Sequence, residues 1–179
     1  VTQRKVLAGA FQPHVRREIE SLAMAVEAET DEGGDILRAI LSSIVVKMSK
    51  RGGEERALGR GMAARLFADR AVELAAGLDR LWREAPPETP SPEIVLADAR
   101  VYRWQRKFDA VVTSPPYPGT YDYADQHELP LALLGKLSPH LRKDELGSRR
   151  SLVADVEAGL RRWEDEFVEI LVKLAGAVK

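Results

Sequence analysis

The chain contains no cysteine. This excludes disulfide frameworks, thiolate zinc sites, iron–sulfur clusters and cysteine nucleophiles together. It also fits a reducing compartment, so a cytoplasmic location is expected. No apolar run approaches the roughly 20 residues that a membrane helix needs, and no membrane partner is expected. No secretory leader is visible, although the chain opens on Val1 rather than Met, which reads as a processed or internal segment. An excess of one charge is missing too. The 27 Lys and Arg stand against 28 Asp and Glu, a net charge of −1. That excludes a uniformly basic nucleic-acid binder but leaves room for a local basic patch. Internal repeats and low-complexity tracts are absent. What remains is 179 residues, 45% of them hydrophobic, enough for one ordinary domain or one domain with a large insert. A core of that size requires neither disulfide nor structural metal, and no metal is expected.

Residues 13–84 read almost entirely as helix. Pro13 suits a first helical turn, and Val15, Ile19, Leu22, Ala23 and Val26 recur at helical spacing. The Asp31–Gly34 cluster breaks this helix. A second is expected from about Asp35 to Lys50, ending at Gly52–Gly53. A third is expected from near Glu54, with Leu58, Met62, Leu66, Ala71, Leu74, Leu78 and Leu81 as its stripe and weakened early turns at Gly59 and Gly61. Ala85–Pro92 holds four prolines and reads as a linker. The character then changes. Glu93–Ala97 and Phe108–Thr113 are short, apolar and β-branched, and both read as buried strands. The polar stretch between them, Asp98–Lys107, is shorter than a parallel crossover usually needs. Helix resumes around Ala124–Lys136, and a long amphipathic helix is expected from about Arg149 to Val178. Since two strands do not make a stable sheet, the pair reads as the middle of a larger α/β sheet.

The sharpest feature is the run from Phe108 to Tyr117, in which the second expected strand enters Ser114-Pro115-Pro116-Tyr117. In an open α/β sheet, ligands bind just beyond the carboxyl ends of the strands. The residue types suit methyl transfer to an exocyclic amino group on a planar ring. Such an amine is a poor nucleophile because its lone pair is delocalised. The Ser114 hydroxyl and the Pro115 carbonyl can accept its two N–H bonds and stabilise the charge that develops during attack. Pro115 and Pro116 fix φ and make the carbonyl direction rigid. Tyr117 can stack on the ring and hold it in line. The plainer alternative is a surface turn or a proline-rich ligand for a small binding domain.

In these residues the chain resembles the S-adenosylmethionine-dependent amino-methyltransferases, particularly the DNA methyltransferases of restriction-modification type that modify cytosine N4 or adenine N6. Their motif has the form Asp/Asn/Ser-Pro-Pro-aromatic after a strand, and Thr113–Tyr117 matches it. Ser at the first position is similar to the cytosine-N4 subgroup. Val95-Leu96-Ala97-Asp98-Ala99-Arg100 resembles the family's strand ending in Asp-Ala. The resemblance implies that Asp98, with Ala99, contacts the cofactor's adenine, while Asp98 as a plain loop or N-cap carboxylate stays equally open on its own. Tyr121 and Tyr123 would line the pocket mouth or meet an extruded base, against the alternative that they pack beneath the loop. His127 reads as an ordinary helix-start residue.

The family's glycine-rich cofactor loop and ribose-binding acid have no counterpart in the chain. The resemblance therefore implies an internal piece whose upstream and downstream parts are missing, inactive in isolation but an enzyme as the complete parent. The fold expected is helix-dominated α/β: a helical insert over residues 1–90, then a partial Rossmann-like methyltransferase sheet over 91–179. The expected function is DNA methylation with S-adenosylmethionine as cofactor and DNA as partner. RNA guanine or a protein amide is the alternative substrate, and a non-catalytic helical scaffold or nucleic-acid-binding piece is the alternative from another class. Lys47, Lys50, Arg51, Arg56, Arg60, Arg65 and Arg70 form the best basic cluster, diluted by Glu54, Glu55 and Asp69, and read as a solvated face. Trp163 and Phe167, one turn apart, read as core.

Overall fold

The computed structural model of the chain describes residues 3–50 and 58–179. The described residues form eight helices: α1 Gln3–Ala10, α2 Pro13–Ala28, α3 Glu32–Val45, α4 Met62–Glu84, α5 Tyr123–Leu133, α6 Leu141–Asp144, α7 Arg149–Ala154 and α8 Val156–Ala177. They fall into two compact units, one of Val1–Thr89 with Ala124–Arg142 and one of Pro90–Tyr123 with Lys143–Lys179.

The first unit is a helical bundle whose core follows from the spacing of its apolar residues. Val15, Ile19, Ala23 and Val26 line the buried face of α2. They meet Leu41, Ile44 and Val45 of α3, Met48, Ala63 of α4 and Leu129 of α5. Each large side chain buried this way contributes about 1.5–3 kcal/mol. Helix α3 starts earlier than Asp35. The Asp31 carboxylate accepts from Gly34 N at 3.1 Å and caps it, so the glycine pair lies inside the first turn. Gly34 is needed there, since a Cβ would stand 2.3 Å from the Glu29 carbonyl. Helix α4 begins only at Met62, after Gly61 in the left-handed region at φ 78°. Glu54–Ala57, part of the expected start, and Arg51 and Arg56 of the basic cluster lie outside the described residues. Beyond its first turns the α4 stripe stays exposed at Leu74, Leu78 and Leu81.

The second unit corrects the expected fold. Among the described residues there is no strand and no sheet, so the partial Rossmann-like methyltransferase sheet is absent. Phe108 makes one isolated parallel bridge with Val178, donating to the Ala177 carbonyl at 2.9 Å and accepting from Lys179 N at 3.0 Å. Glu93–Ala97 and Phe108–Thr113 do not pair with each other. Their apolar side chains stand in solvent: Ile94 is 90% exposed, Leu96 fully so and Val112 98%. The reason is physical. A β-branched run becomes a strand only where a neighbour takes up its backbone bonds. Here the connection turns back at Asp98, whose carbonyl accepts from Val101 N and Tyr102 N, and never crosses over.

The long C-terminal helix is interrupted as well. Asp155 adopts extended backbone, and its carboxylate caps α8 by accepting from Ala158 N at 3.0 Å. The chain bends there because Gly159 passes close to α7, where a Cβ would meet the Ser151 carbonyl at 3.1 Å.

Candidate active site

Ser114-Pro115-Pro116-Tyr117 runs as irregular extended chain, as successive prolines demand. What fixes it is α8. The Trp163 indole Nε1 donates to the Pro116 carbonyl at 3.1 Å. The same ring lies stacked on Phe167, with centroids 5.3 Å apart and planes at 18°. Gly147 passes close to the indole. Its φ is +69°, and a Cβ there would come within 2.7 Å of Trp163 Cδ1. The Gly147 carbonyl also accepts from Gly119 N at 3.0 Å, and Thr120 N closes a turn onto the Tyr117 carbonyl at 3.3 Å. Trp163 was legible in the sequence only as an apolar position. That its indole holds the turn required the helix and the turn to be seen together.

The engaged carbonyl is that of Pro116. Among the described residues, none donates to the Ser114 hydroxyl or to the Pro115 carbonyl, and Ser114 is exposed. Tyr117 is 57% exposed. The turn therefore presents the Ser114 hydroxyl and the Tyr117 ring to solvent, beside a half-buried Pro115 whose carbonyl takes no donor among the described residues, on a backbone that is tied down one residue away.

The segment that follows is pinned by buried charge. Asp122, only 8% exposed, accepts from Arg150 N at 3.2 Å and faces the guanidinium groups of Arg149 at 3.4 Å and Arg150 at 3.8 Å. Glu145 accepts from Tyr123 N and pairs with Arg150 at 2.9 Å. Neither acid stood out in the sequence. They hold Tyr121 and Tyr123 side by side, ring centroids 5.7 Å apart and tilted by 45°, both partly exposed.

Asp98 lies in the turn after residues 93–97 and is bound by a neighbour. Its carboxylate accepts from Arg100 N at 2.9 Å, from Nη2 at 2.7 Å and from Nε at 3.0 Å. These side-chain bonds, then the backbone bond, hold its carboxyl below the ordinary aspartate value of 3.8, against a small opposing effect of burial. The Asp98 carboxylate raises the Arg100 guanidinium in turn. Arg100 reaches on to Glu166 of α8 at 3.3 Å. Glu166 and Trp163 are three residues apart, neighbours on one helical face. Helix α8 thus anchors both the Asp98 turn, through Arg100, and the Ser114–Tyr117 turn, through Trp163. Ala99 is exposed in the Asp98 turn and makes no side-chain contact that positions anything.

The fit to S-adenosylmethionine is poor in what this chain provides. The Asp98 oxygens already take several bonds from Arg100. The cavities beside Tyr102–Lys107 and beside Trp104–Val112 include neither Asp98 nor Ala99 in their walls. Neither cavity includes a residue of the Ser114–Tyr117 turn in its walls. Among the described residues no group of three or more His, Asp or Glu side chains is placed to hold a metal, and no helix is long and apolar enough to cross a membrane. No family model, no curated protein and no solved structure matches the chain.

Proposed function

We propose that this chain supplies the target-amine side of a methyl transfer from S-adenosylmethionine to an exocyclic amino group of a DNA base, cytosine N4 ahead of adenine N6, in the cytoplasm. The observation that carries this reading is the Ser114–Tyr117 turn. It combines two unoccupied acceptors of different chemistry, an exposed ring and a backbone held at Pro116. The cofactor's part is to present an electrophilic methyl group. The chain's part is to bind and orient the amine. The Ser114 Oγ and the Pro115 carbonyl each accept one N–H, which draws the nitrogen lone pair out of conjugation and stabilises the positive charge that builds on it. Tyr117 stacks on the ring and fixes the line of attack. No strong base is required, because the nitrogen becomes acidic only as it gains the methyl group.

A single-turnover assay of the complete parent polypeptide, with labelled S-adenosylmethionine on DNA, RNA and peptide substrates, tests the proposal. Ser114→Ala should lower the rate about 100- to 1,000-fold, equivalent to about 2.7–4 kcal/mol of lost transition-state stabilisation. Tyr117→Ala should weaken binding of the extruded base by about 1–3 kcal/mol, and Tyr117→Phe should keep most activity. Wild-type rates for both Ser114→Ala and Tyr117→Ala would remove this turn from the chemistry and leave the scaffold reading. Methylation confined to the RNA or peptide substrate would reassign the amine.

A further inference from the structure

The second unit carries a cavity that the Ser114–Tyr117 turn does not use. It has a volume of about 390 Å3, within the range of small-molecule pockets. It lies between the 102–107 loop and the C-terminal end of α8, with Tyr102, Trp104, Arg103, Arg106, Lys107 and Lys173 in its walls. Four of these six are cations, and no Asp or Glu lines the cavity. In a chain of net charge −1 this is a marked local excess.

Three of the four cations have partners. Arg106 pairs with Glu93 at 3.2 Å, both exposed, and the half-buried Lys173 pairs with the exposed Glu169 at 3.3 Å. Exposed pairs of this kind hold weakly and yield to a competing anion. Arg103 has no acidic partner among the described residues. Lys107 Nζ donates to the Gly176 carbonyl, and Phe108 N donates to that of Ala177. Those contacts cover the negative end of α8, which would otherwise repel an anion.

The aromatic side is ordered. Trp104 meets Tyr102 edge-on at 4.7 Å and Phe108 edge-on at 5.5 Å. The Arg106 guanidinium sits 5.4 Å from the Phe108 ring centre. Two edge contacts hold the indole, yet it remains 41% exposed. A ligand stacking on it would have little side-chain entropy left to remove.

Cations alone would fit any anion, and a ring alone any planar group. Both at one cavity fit a molecule that carries the two together. We infer that this cavity binds a nucleotide unit, its base against Trp104 and its phosphate among Arg103, Arg106 and Lys107. A free nucleotide and one unit of a single strand share this chemistry. Bases in an intact duplex do not, because their faces are already stacked. The site stands apart from the methyl-transfer reading and survives if that reading fails.

Anisotropy titration of a fluorescein-labelled oligothymidylate with the 179-residue chain tests it, with thymidine monophosphate and polyglutamate as unlabelled competitors. The strand should bind and polyglutamate should not displace it. Trp104→Ala should weaken binding about tenfold or more. Arg103→Ala should weaken it less and reduce the slope of log affinity against log salt by about 0.7, one phosphate contact. If Trp104→Ala loses its helical circular dichroism, the exposed Arg103→Ala decides alone. Displacement by the monophosphate at similar concentration assigns the free nucleotide, and its failure assigns the strand. Equal displacement by polyglutamate, absence of binding, or unchanged affinity in both variants overturns the inference.

Discussion

In the first unit Leu41 and Ile44 are fully buried, while in the second Ile94, Leu96 and Val112, equally apolar, stand in solvent. The difference lies in the backbone. A helix satisfies its own N–H and C=O groups within a few residues, so only a stripe of side chains remains to be covered. α2 and α3 cover each other's stripes. An extended run satisfies nothing by itself, and its side chains gain burial only after a neighbouring chain has accepted its backbone. The lesson concerns cost as much as shape. The same leucine is worth several kcal/mol in one unit and close to nothing in the other.

A matched pair of substitutions sharpens this most. Leu41→Ala should destabilise the first unit by about 2–5 kcal/mol through lost transfer energy and a cavity. Leu96→Ala should fall within about 0.5 kcal/mol of wild type. Urea unfolding followed by circular dichroism reads both, and equal losses would break the comparison. Hydrogen exchange gives the same contrast without mutation: the amides of α2 and α3 should be slow, and those of residues 93–97 should exchange near the rate of an unstructured peptide.

Those two runs also mark where the sequence was legible and where it was not. Helical period in Val15–Val26 indicated both the element and its buried face, because period and burial are consequences of the same local geometry, whereas in α3 it indicated the helix but missed the fully buried Leu41 and Val45. Phe108–Thr113 has the composition of a buried strand, but composition does not supply a ladder. The Ser114–Tyr117 turn could be read from residue types alone. Its support could not, since Trp163 lies 47 residues beyond Pro116 and Glu145 22 residues beyond Tyr123, and neither they nor Gly147 and Asp122 signal anything locally.

Within the second unit, the next effect in size falls on that support. Trp163→Phe keeps the stacking ring and deletes the indole donor to Pro116. The expected loss is about 0.5–1.5 kcal/mol, one neutral hydrogen bond. In nitrogen-resolved NMR the Trp163 indole N–H should exchange more slowly than that of the exposed Trp82. An indole at Trp163 that exchanges as fast as Trp82 would show the bond is not kept in solution.

The smallest effect concerns Asp98. Its carboxyl is lowered in the folded chain by Arg100, so the pair adds stability above the unfolded aspartate value of 3.8. That contribution is lost as pH falls through the lower, folded value. The carboxylate is 44% exposed, so solvent screening keeps the gain to about 0–1 kcal/mol. Arg100→Gln should therefore lower stability slightly near neutrality, leave it unchanged in strong acid and so flatten the acid limb of the stability curve. A larger change at pH 7 than at pH 3.5 is the expected sign, and the reverse would contradict it.

Gly61, the N-cap of helix α4, makes no side-chain cap bond. The Glu18 carboxylate of α2 serves instead, accepting from Gly61 N at 2.7 Å and from Ala63 N at 3.3 Å. The starting point of α4 is thereby written 43 residues upstream, on a different helix. Glu18→Ala would therefore fray the first turn of a helix it never adjoins in sequence. A substitution on α2 should be felt at the start of α4, a pattern of mutational sensitivity opposite to what distance along the chain suggests.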